Sequence, residues 1–272
     1  NIGYNISTID NEVLFVASKN GFEQGGDWGV GLGIIPSRME AGYPIGYFYG
    51  YKTNGLYQSQ DEIDALDANA FNEDGENIDY HEGAKVGDLR FVDMNGDGYI
   101  SDKDKTYLGD PIPDLTMGLS LGFNYKEFDF TASAYASIGN EMVRDYERQA
   151  MNTNRGTYML NRWTTENGGN TIPRASGGSS VNNSEFSDYF VEDASYLRIQ
   201  NVQLGYTANN NLVNFLGLKS LRLYFSVNNL FTFTNYNGFD PSASSDRPIG
   251  AGIDKGFYPV SRSFLFGLNV KI

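Results

Sequence analysis

The sequence predicts an all-β fold: an antiparallel portion of a transmembrane β-barrel wall with long external loops. Three observations predict it. Segments of strand length carry one apolar and one polar face, their connections alternate between short and long, and no run approaches the roughly 18 apolar residues of a helical span.

The chain opens on Asn1-Ile-Gly-Tyr-Asn5, already strand-like, and Asn1–Val16 reads as a first wall strand. A start of this kind predicts that processing or truncation removed whatever preceded it. In Leu115–Tyr125 the odd positions are Leu115, Met117, Leu119, Leu121, Phe123 and Tyr125, and the even ones are Thr, Gly, Ser, Gly and Asn. In Phe128–Ser137 the parity is reversed, with Phe128, Phe130 and three alanines opposing Asp129, Thr131, Ser133, Tyr135 and Ser137. Tyr196–Tyr206 alternates with a slip, since Leu197 and Ile199 precede Val202, Leu204 and Tyr206. One extra residue near Gln200-Asn201, a β-bulge, restores the facing. Leu221–Asn229 separates Leu221, Leu223, Phe225 and Val227 from Arg222, Tyr224, Ser226 and Asn228. The last segment sets Phe264, Phe266, Leu268, Val270 and Ile272 against Leu265, Gly267, Asn269 and Lys271. Each is close to the about 9–11 residues with which a tilted strand crosses a bilayer. By this parity Leu119, Leu121, Phe130, Leu223, Phe225, Phe266 and Leu268 face lipid, and Ser120, Thr131, Ser133, Tyr224 and Asn269 face the lumen.

A large soluble β-sandwich alternates equally well. The connections separate the two readings. Lys126-Glu127 is a tight turn and Thr207–Ser220 a moderate link, whereas Ile138–Ala194, Thr232–Ser261 and Gln58–Asp114 are long. Barrels sort short periplasmic turns from long external loops, and a sandwich has no reason to. On this sorting the C-terminus lies on the periplasmic side.

Composition agrees. Aromatics make up 14%, with 19 Tyr and 18 Phe but 2 Trp, alongside 32 Gly, which suits aromatic girdles and turns. The absence of cysteine removes disulfide and thiol chemistry. A net charge of −14 argues against nucleic acid as a partner and places acidic groups in extramembrane loops.

The 58–114 excursion holds the one motif with specific chemistry. Asp93-Met-Asn-Gly-Asp-Gly-Tyr-Ile-Ser-Asp-Lys-Asp104 has calcium-loop spacing. Asp93, Asn95 and Asp97 offer oxygens at alternate positions, Gly98 permits the sharp turn, the Tyr99 carbonyl follows, and Asp104 closes the loop. The expected ion is a structural Ca2+. Asp stands where the closing residue is usually Glu, no amphipathic helix enters, and Asn-Gly with Asp-Gly forms turns unaided. Upstream, Asp61–Glu82 holds nine acidic residues and neither Lys nor Arg. It reads as an exposed acidic loop, with Ser59-Gln-Asp-Glu62 as a capping box opening a helix to about Ala70. The single histidine, His81, has no second His or Cys beside it, and no spacing isolates a carboxylate pair, so no catalytic residues are assigned and no enzyme is expected.

Several blocks, in order, resemble one family. They are Gly42-Tyr-Pro-Ile-Gly-Tyr-Phe-Tyr-Gly-Tyr-Lys-Thr-Asn-Gly-Leu-Tyr57, Gly87-Asp-Leu-Arg-Phe-Val-Asp-Met-Asn-Gly-Asp-Gly98, Leu160-Asn-Arg-Trp-Thr164 with Ile172-Pro-Arg-Ala175, Phe190–Tyr206, and Val227-Asn-Asn-Leu-Phe231 with Gly238-Phe-Asp-Pro241. Together, and over nearly the whole chain, they look like the C-terminal part of SusC/RagA-type TonB-dependent transporters. The resemblance implies residues 1–272 as a C-terminal segment of an outer-membrane barrel of about 22 strands, with its plug domain outside this chain. It implies import of glycans or oligopeptides, energised through TonB by the missing N-terminal part, beneath a SusD-like surface lipoprotein. The chain would supply about seven or eight wall strands, with both edges completed by residues elsewhere. Ile272 departs from the terminal aromatic usual in barrel proteins. Two alternatives stand beside this reading: a secreted, calcium-stabilised β-sandwich that binds carbohydrate, and a small autonomous barrel of about eight strands.

Overall fold

The computed structural model describes residues 1–25, 35–145, 156–169, 171–175, 182–245 and 247–272. Parts of two of the long predicted connections, residues 146–155, 170 and 176–181 of Ile138–Ala194 and residue 246 of Thr232–Ser261, lie outside the described residues.

Alternating apolar and polar residues favour the pleated strand, and six such strands form one antiparallel sheet. Its order is Ile2–Thr8, Leu115–Tyr125, Phe128–Ile138, Tyr196–Thr207, Ser220–Thr234 and Ser263–Lys271. Each pairs with its predecessor among the six, the up-and-down order of a barrel wall. Among the described residues the first and last strands have one paired edge each, so the sheet is open. Among the described residues the wall has six strands rather than the expected seven or eight. The expected Asn1–Val16 strand shortens to Ile2–Thr8 because the chain then leaves the sheet: Val13 exchanges backbone hydrogen bonds with Tyr43 and Gly42, both 2.9 Å.

Register carries the two faces across the sheet. Leu121, Ala132, Val202, Val227 and Phe264 are successive cross-strand partners on the apolar side. Ser120, Ser133, Asn201, Asn228 and Ser263 form the neighbouring polar row, where Asn201 Nδ2 donates to Asn228 Oδ1 at 2.7 Å. A one-residue slip would reverse every side chain. The predicted bulge prevents that, with register shifting between Ile199 and Asn201 against both neighbouring strands. The Leu221–Asn229 strand is longer than expected, reaching Thr234. Its upper part pairs Phe231–Thr234 with Ile199–Tyr196 beyond the end of the last strand.

The ends of the wall differ. At one end lie the Lys126-Glu127 turn, with Lys126 at φ 53°, and a link whose short helix Asn210–Phe215 is capped by Asn209 Oδ1 on the Leu212 N–H at 3.1 Å. All three long excursions leave from the other end and pack into a cap. Phe22–Gly25, Ser37–Glu40, Tyr47–Gly50 and Thr106–Gly109 form a four-stranded sheet, and Thr53–Leu56 pairs with Leu89–Phe91. Val191–Asp193, Glu141–Arg144 and Ile253–Asp254 form a third small sheet. The cap core draws on all three, the first of which starts at residue 9 rather than at the expected Gln58: Phe48 comes from residues 9–114, Val143, Phe186 and Phe190 from the second, Ile253 from the third.

The acidic loop begins with a helix, Gln60–Asp67, whose Ser59 Oγ accepts the Glu62 N–H at 3.2 Å. Glu62 reaches the Gln58 N–H at 2.9 Å rather than that of Ser59, so the expected capping box is only half formed. The helix stops short of Ala70 because Asn77 Nδ2 takes the Asp67 carbonyl at 2.7 Å.

Candidate metal loop and inner face of the wall

The Asp93–Asp104 loop brings its carboxylates together. Oxygens of Asp93, Asp97 and Asp104 lie within 4.8 Å of one another. One Ca2+ with oxygens at about 2.3–2.6 Å separates opposed ligands by at most about 5 Å, so this spacing accommodates a single ion. Backbone donors aim the groups. Asp93 accepts the N–H groups of Gly96 at 2.6 Å and Gly98 at 2.8 Å, and Gly98 holds the left-handed φ of 92° that the turn requires. Asp104, fully buried, accepts from Met94 at 2.9 Å and Ser101 at 2.7 Å, capping the 3-10 turn Asp102–Asp104. Asn95 Oδ1 accepts the Asp97 N–H and its Nδ2 donates to Asp97 Oδ2, both 2.8 Å. The Tyr99 carbonyl accepts no hydrogen bond among the described residues. The two nearby lysines pair with carboxylates outside the candidate ligand set, Lys103 with Glu73 at 3.0 Å and Lys105 with Asp102 at 2.5 Å. The structure thus brings three of the five sequence-predicted ligands, Asp93, Asp97 and Asp104, together, with Asn95 and Tyr99 in the same loop, and hard oxygens of this kind suit Ca2+ or another hard cation.

The loop is tied to the cap beneath it. Ile100 donates its N–H to the Tyr80 carbonyl at 2.7 Å, and its side chain packs on Tyr51, Leu56, Leu89 and Phe91. His81 sits under the same cluster, its ring 4.8 Å from that of Phe91 and its Nδ1 3.4 Å from the Tyr57 hydroxyl. The sequence placed His81 in an exposed acidic stretch. It is buried, and burial lowers its pKa to about 4 despite the opposing pull of Asp88. Glu141 behaves in the opposite sense: burial, aided by Asp110, Asp114 and Asp193, raises its pKa to about 6, with a hydrogen bond from the Asp110 backbone resisting.

On the polar face of the wall, Arg222 grips Asp129 with two bonds, Nε–Oδ1 at 3.1 Å and Nη2–Oδ2 at 2.6 Å. Gly267 leaves room for the Tyr224 ring, since a Cβ there would lie 2.1 Å from it. At the rim Arg198 and Asp240 form a buried pair at 2.6 Å. Asp240 also accepts the N–H groups of Ser242 at 2.9 Å and Val260 at 3.0 Å, and Arg198 also bonds Thr232 and Ser242. Burial alone would raise the Asp240 pKa, and these donors lower it instead. Sequence reading assigned no role to this latch between wall and loop. Its only signal was an arginine on the polar side of a wall strand. Beside it open two cavities: one of about 330 Å³ bounded by Arg198, Phe231, Asp240, Pro259 and Arg262, and one of about 160 Å³ behind three prolines.

Comparison with known proteins follows the same lines. No family model matches the chain. TonB-dependent receptor P39 of Formosa agariphila is 30% identical over 98% of this chain and 28% of its own length. TonB-dependent receptor P3 of the same organism is 33% identical over 86% of the chain and 23% of its own length. TonB-dependent receptor SusC of Bacteroides thetaiotaomicron is 35% identical over 71% of the chain and 18% of its own length. Two solved structures of the RagAB peptide importer, in its open-open and closed-closed states, share the fold with TM-scores of 0.65 and 0.67. Each is 22% identical and covers 100% of this chain, which covers 26% and 27% of theirs. These relatives are receptors and importers, in keeping with the expectation of no catalysis. The chain spans about a quarter of the length of the curated relatives P3 and P39. Likeness along most of the sequence, together with a shared barrel-wall fold, identifies the chain as a segment of a SusC/RagA-type TonB-dependent receptor.

Proposed function

We propose that the protein to which this segment belongs imports an organic nutrient, a glycan or an oligopeptide, across the outer membrane, drawing energy through TonB. The segment supplies part of the barrel wall and much of its external cap. The observation that carries this reading is the wall itself, with one face mainly apolar, the other mainly polar, and the long excursions at one end. In a bilayer the apolar face meets lipid and the polar face lines the lumen. The excursions then lie outside the cell, beneath a SusD-like lipoprotein, and the C-terminus lies in the periplasm. Backbone groups left unpaired in lipid cost several kcal/mol each, so both wall edges pair with strands outside this chain, which also supply the plug and the TonB contact. The Asp93–Asp104 loop holds Ca2+ and keeps the 58–114 excursion in shape. An affinity on the order of 10⁻⁴–10⁻³ M is enough for an extracellular site.

The test is uptake by cells carrying the whole protein, with and without TonB and the candidate lipoprotein. Uptake of an oligosaccharide or oligopeptide that stops when either is deleted supports the proposal. Uptake unchanged in both deletions overturns it. A segment that forms a closed, heat-modifiable barrel by itself in detergent would favour the small-barrel alternative.

A further inference from the structure

The four-stranded cap sheet has aromatic rings on the face turned away from the cap core. On its Tyr47–Gly50 strand Phe48 enters that core, so Tyr47 and Tyr49 lie on the opposite face, where their rings meet edge to face at 6.3 Å. Cross-strand register sets Arg38 beside Tyr47 and Tyr107 beside Tyr49. Tyr43 joins them from the turn before the strand.

Three of these rings make a platform. Tyr43 and Tyr47 stack at 4.7 Å, Tyr47 and Tyr107 at 5.7 Å, and Tyr43 and Tyr107 lie 6.2 Å apart, every pair of planes within 26° of parallel. Tyr43 and Tyr107 are much closer than the ends of a three-ring pile would be, so they sit side by side over Tyr47. Exposure agrees: Tyr47 is 1% exposed, Tyr43 40% and Tyr107 42%. The buried ring supports two that solvent can reach.

A carboxylate stands at either side. Tyr47 donates its hydroxyl to Glu40 and Tyr107 donates to Asp110, both at 2.6 Å. Among the described residues neither carboxylate has a cationic partner. Arg38, the arginine of this face, is held by the Phe22 and Tyr49 rings, 4.2 and 3.5 Å from their centroids. The Tyr107 hydroxyl feels the surplus of negative charge: burial first, then Asp110, Glu141 and Asp114, raise its pKa.

Ring faces attract cations, and two unneutralised carboxylates add to that attraction. Arg38 shows the same sheet face already holding a guanidinium against two rings. A neutral sugar ring can stack on tyrosine and donate to a carboxylate, but the uncompensated charge gives it no further advantage. A guanidinium stacks flat, donates to either carboxylate and neutralises it. An anion is repelled.

We propose that the Tyr43–Tyr107 platform is a subsite for a cationic side chain, arginine above all, of an imported oligopeptide. The proposal rests on the import reading and narrows its cargo. It needs neither the metal loop nor the two cavities.

The experiment uses the whole receptor with its lipoprotein, in detergent or nanodiscs. The probes are Gly-Gly-Arg-Gly-Gly, the same peptide with citrulline for arginine, which keeps the shape and removes the charge, and maltopentaose. The Arg peptide is expected to bind about 3- to 30-fold more tightly than the citrulline peptide, the range of a partly desolvated cation–π contact. Tyr43→Leu, which removes a ring, and Glu40→Gln, which removes a charge, are each expected to reduce that preference. Tyr43→Phe is expected to keep it, because the Tyr43 hydroxyl has no partner among the described residues. Equal affinities of the two peptides for the unmodified receptor overturn the proposal without recourse to any variant. An Arg preference that survives both Tyr43→Leu and Glu40→Gln places the subsite elsewhere and also overturns it. So does maltopentaose binding that Tyr43→Leu weakens, which makes the platform a sugar subsite, and so does release of the lipoprotein by Tyr43→Leu, which makes it a partner contact. The two readings fail separately. A receptor with the expected Arg preference but no TonB-dependent uptake keeps the platform and loses the import reading, whereas TonB-dependent uptake with equal affinities does the reverse.

Discussion

In the wall Phe266 is 74% exposed and Phe264 64%, whereas in the cap Phe48 and Val143 are fully buried and Phe186 is 2% exposed. One chain thus places its large apolar residues in opposite ways within a few tens of ångströms. On the proposed reading the wall turns them outward to lipid, a solvent that is itself apolar, and its polar atoms inward. The cap does what a water-soluble domain does, with an apolar core and ion pairs around it. What this teaches is that exposure is meaningful only against the solvent a surface meets. The same side chain is a liability on the cap and an anchor on the wall.

That contrast is open to measurement, and its sharpest break is truncation of one Phe from each region. Phe48→Ala is expected to destabilise the cap by about 3–5 kcal/mol through lost burial and a residual cavity. Phe266→Ala, whose ring trades contact with lipid for lipid, is expected to change barrel stability by about 1 kcal/mol or less. Urea titration of the whole receptor, following cap proteolysis and barrel unfolding separately, reads both. Comparable losses at the two sites would remove the distinction between the regions.

Next in size is facing within the wall. Leu223 and Tyr224 are adjacent, one pairing with Leu268 on the apolar side and the other with Gly267 on the polar side. Leu223→Arg is expected to cost about 2–4 kcal/mol near the bilayer midplane, and Tyr224→Arg about 1 kcal/mol or less. Equal costs in lipid-vesicle unfolding would sink the assignment of faces.

A third measurement concerns the cap alone. His81 has a native pKa of about 4, below its ordinary value near 6.5, so between those pH values the unfolded chain binds more protons. Its contribution is complete above about pH 6.5 and is lost as pH falls toward about 4, by about 1–3 kcal/mol. Glu141, raised to about 6, works in reverse: it favours the folded cap as pH falls from about 6 through its ordinary value. His81→Phe is therefore expected to remove the acid sensitivity and leave a cap that gains stability on acidification. Glu141→Gln in that background is expected to flatten the profile. An unchanged acid profile in His81→Phe would show that other groups set it.

The smallest expected effect is chelation. At about 1 mM calcium an ion bound with an affinity of order 10⁻⁴–10⁻³ M stabilises the loop by about 0.4–1.4 kcal/mol. EDTA, or Asp93→Ala with Asp97→Ala, is expected to speed cleavage between residues 58 and 114 without altering the wall. Cleavage rates indifferent to calcium would reduce the motif to a pair of turns.

Much of this was legible in the sequence because strand periodicity is local. The parity of Leu115–Tyr125 and the slip near Gln200 are written in consecutive residues, and a wall one strand thick adds only register to them. The five candidate ligands also fall within twelve consecutive residues, so spacing alone brings them to one loop. The cap was not legible, because its core joins Phe48, Val143 and Ile253 across large sequence separations, and no local rule selects those partners. The same holds for Arg198 with Asp240, for the burial of His81 in a stretch that reads as solvated, and for the smaller cavity, whose prolines come from separate excursions. What the sequence determined by itself is the course of most wall strands, their two faces, the bulge and the spacing of the candidate metal loop, since these follow from neighbouring residues and backbone geometry. What only the tertiary structure decided is which loops meet, which charges are buried and where a cavity remains, since those depend on packing between segments that the chain holds far apart.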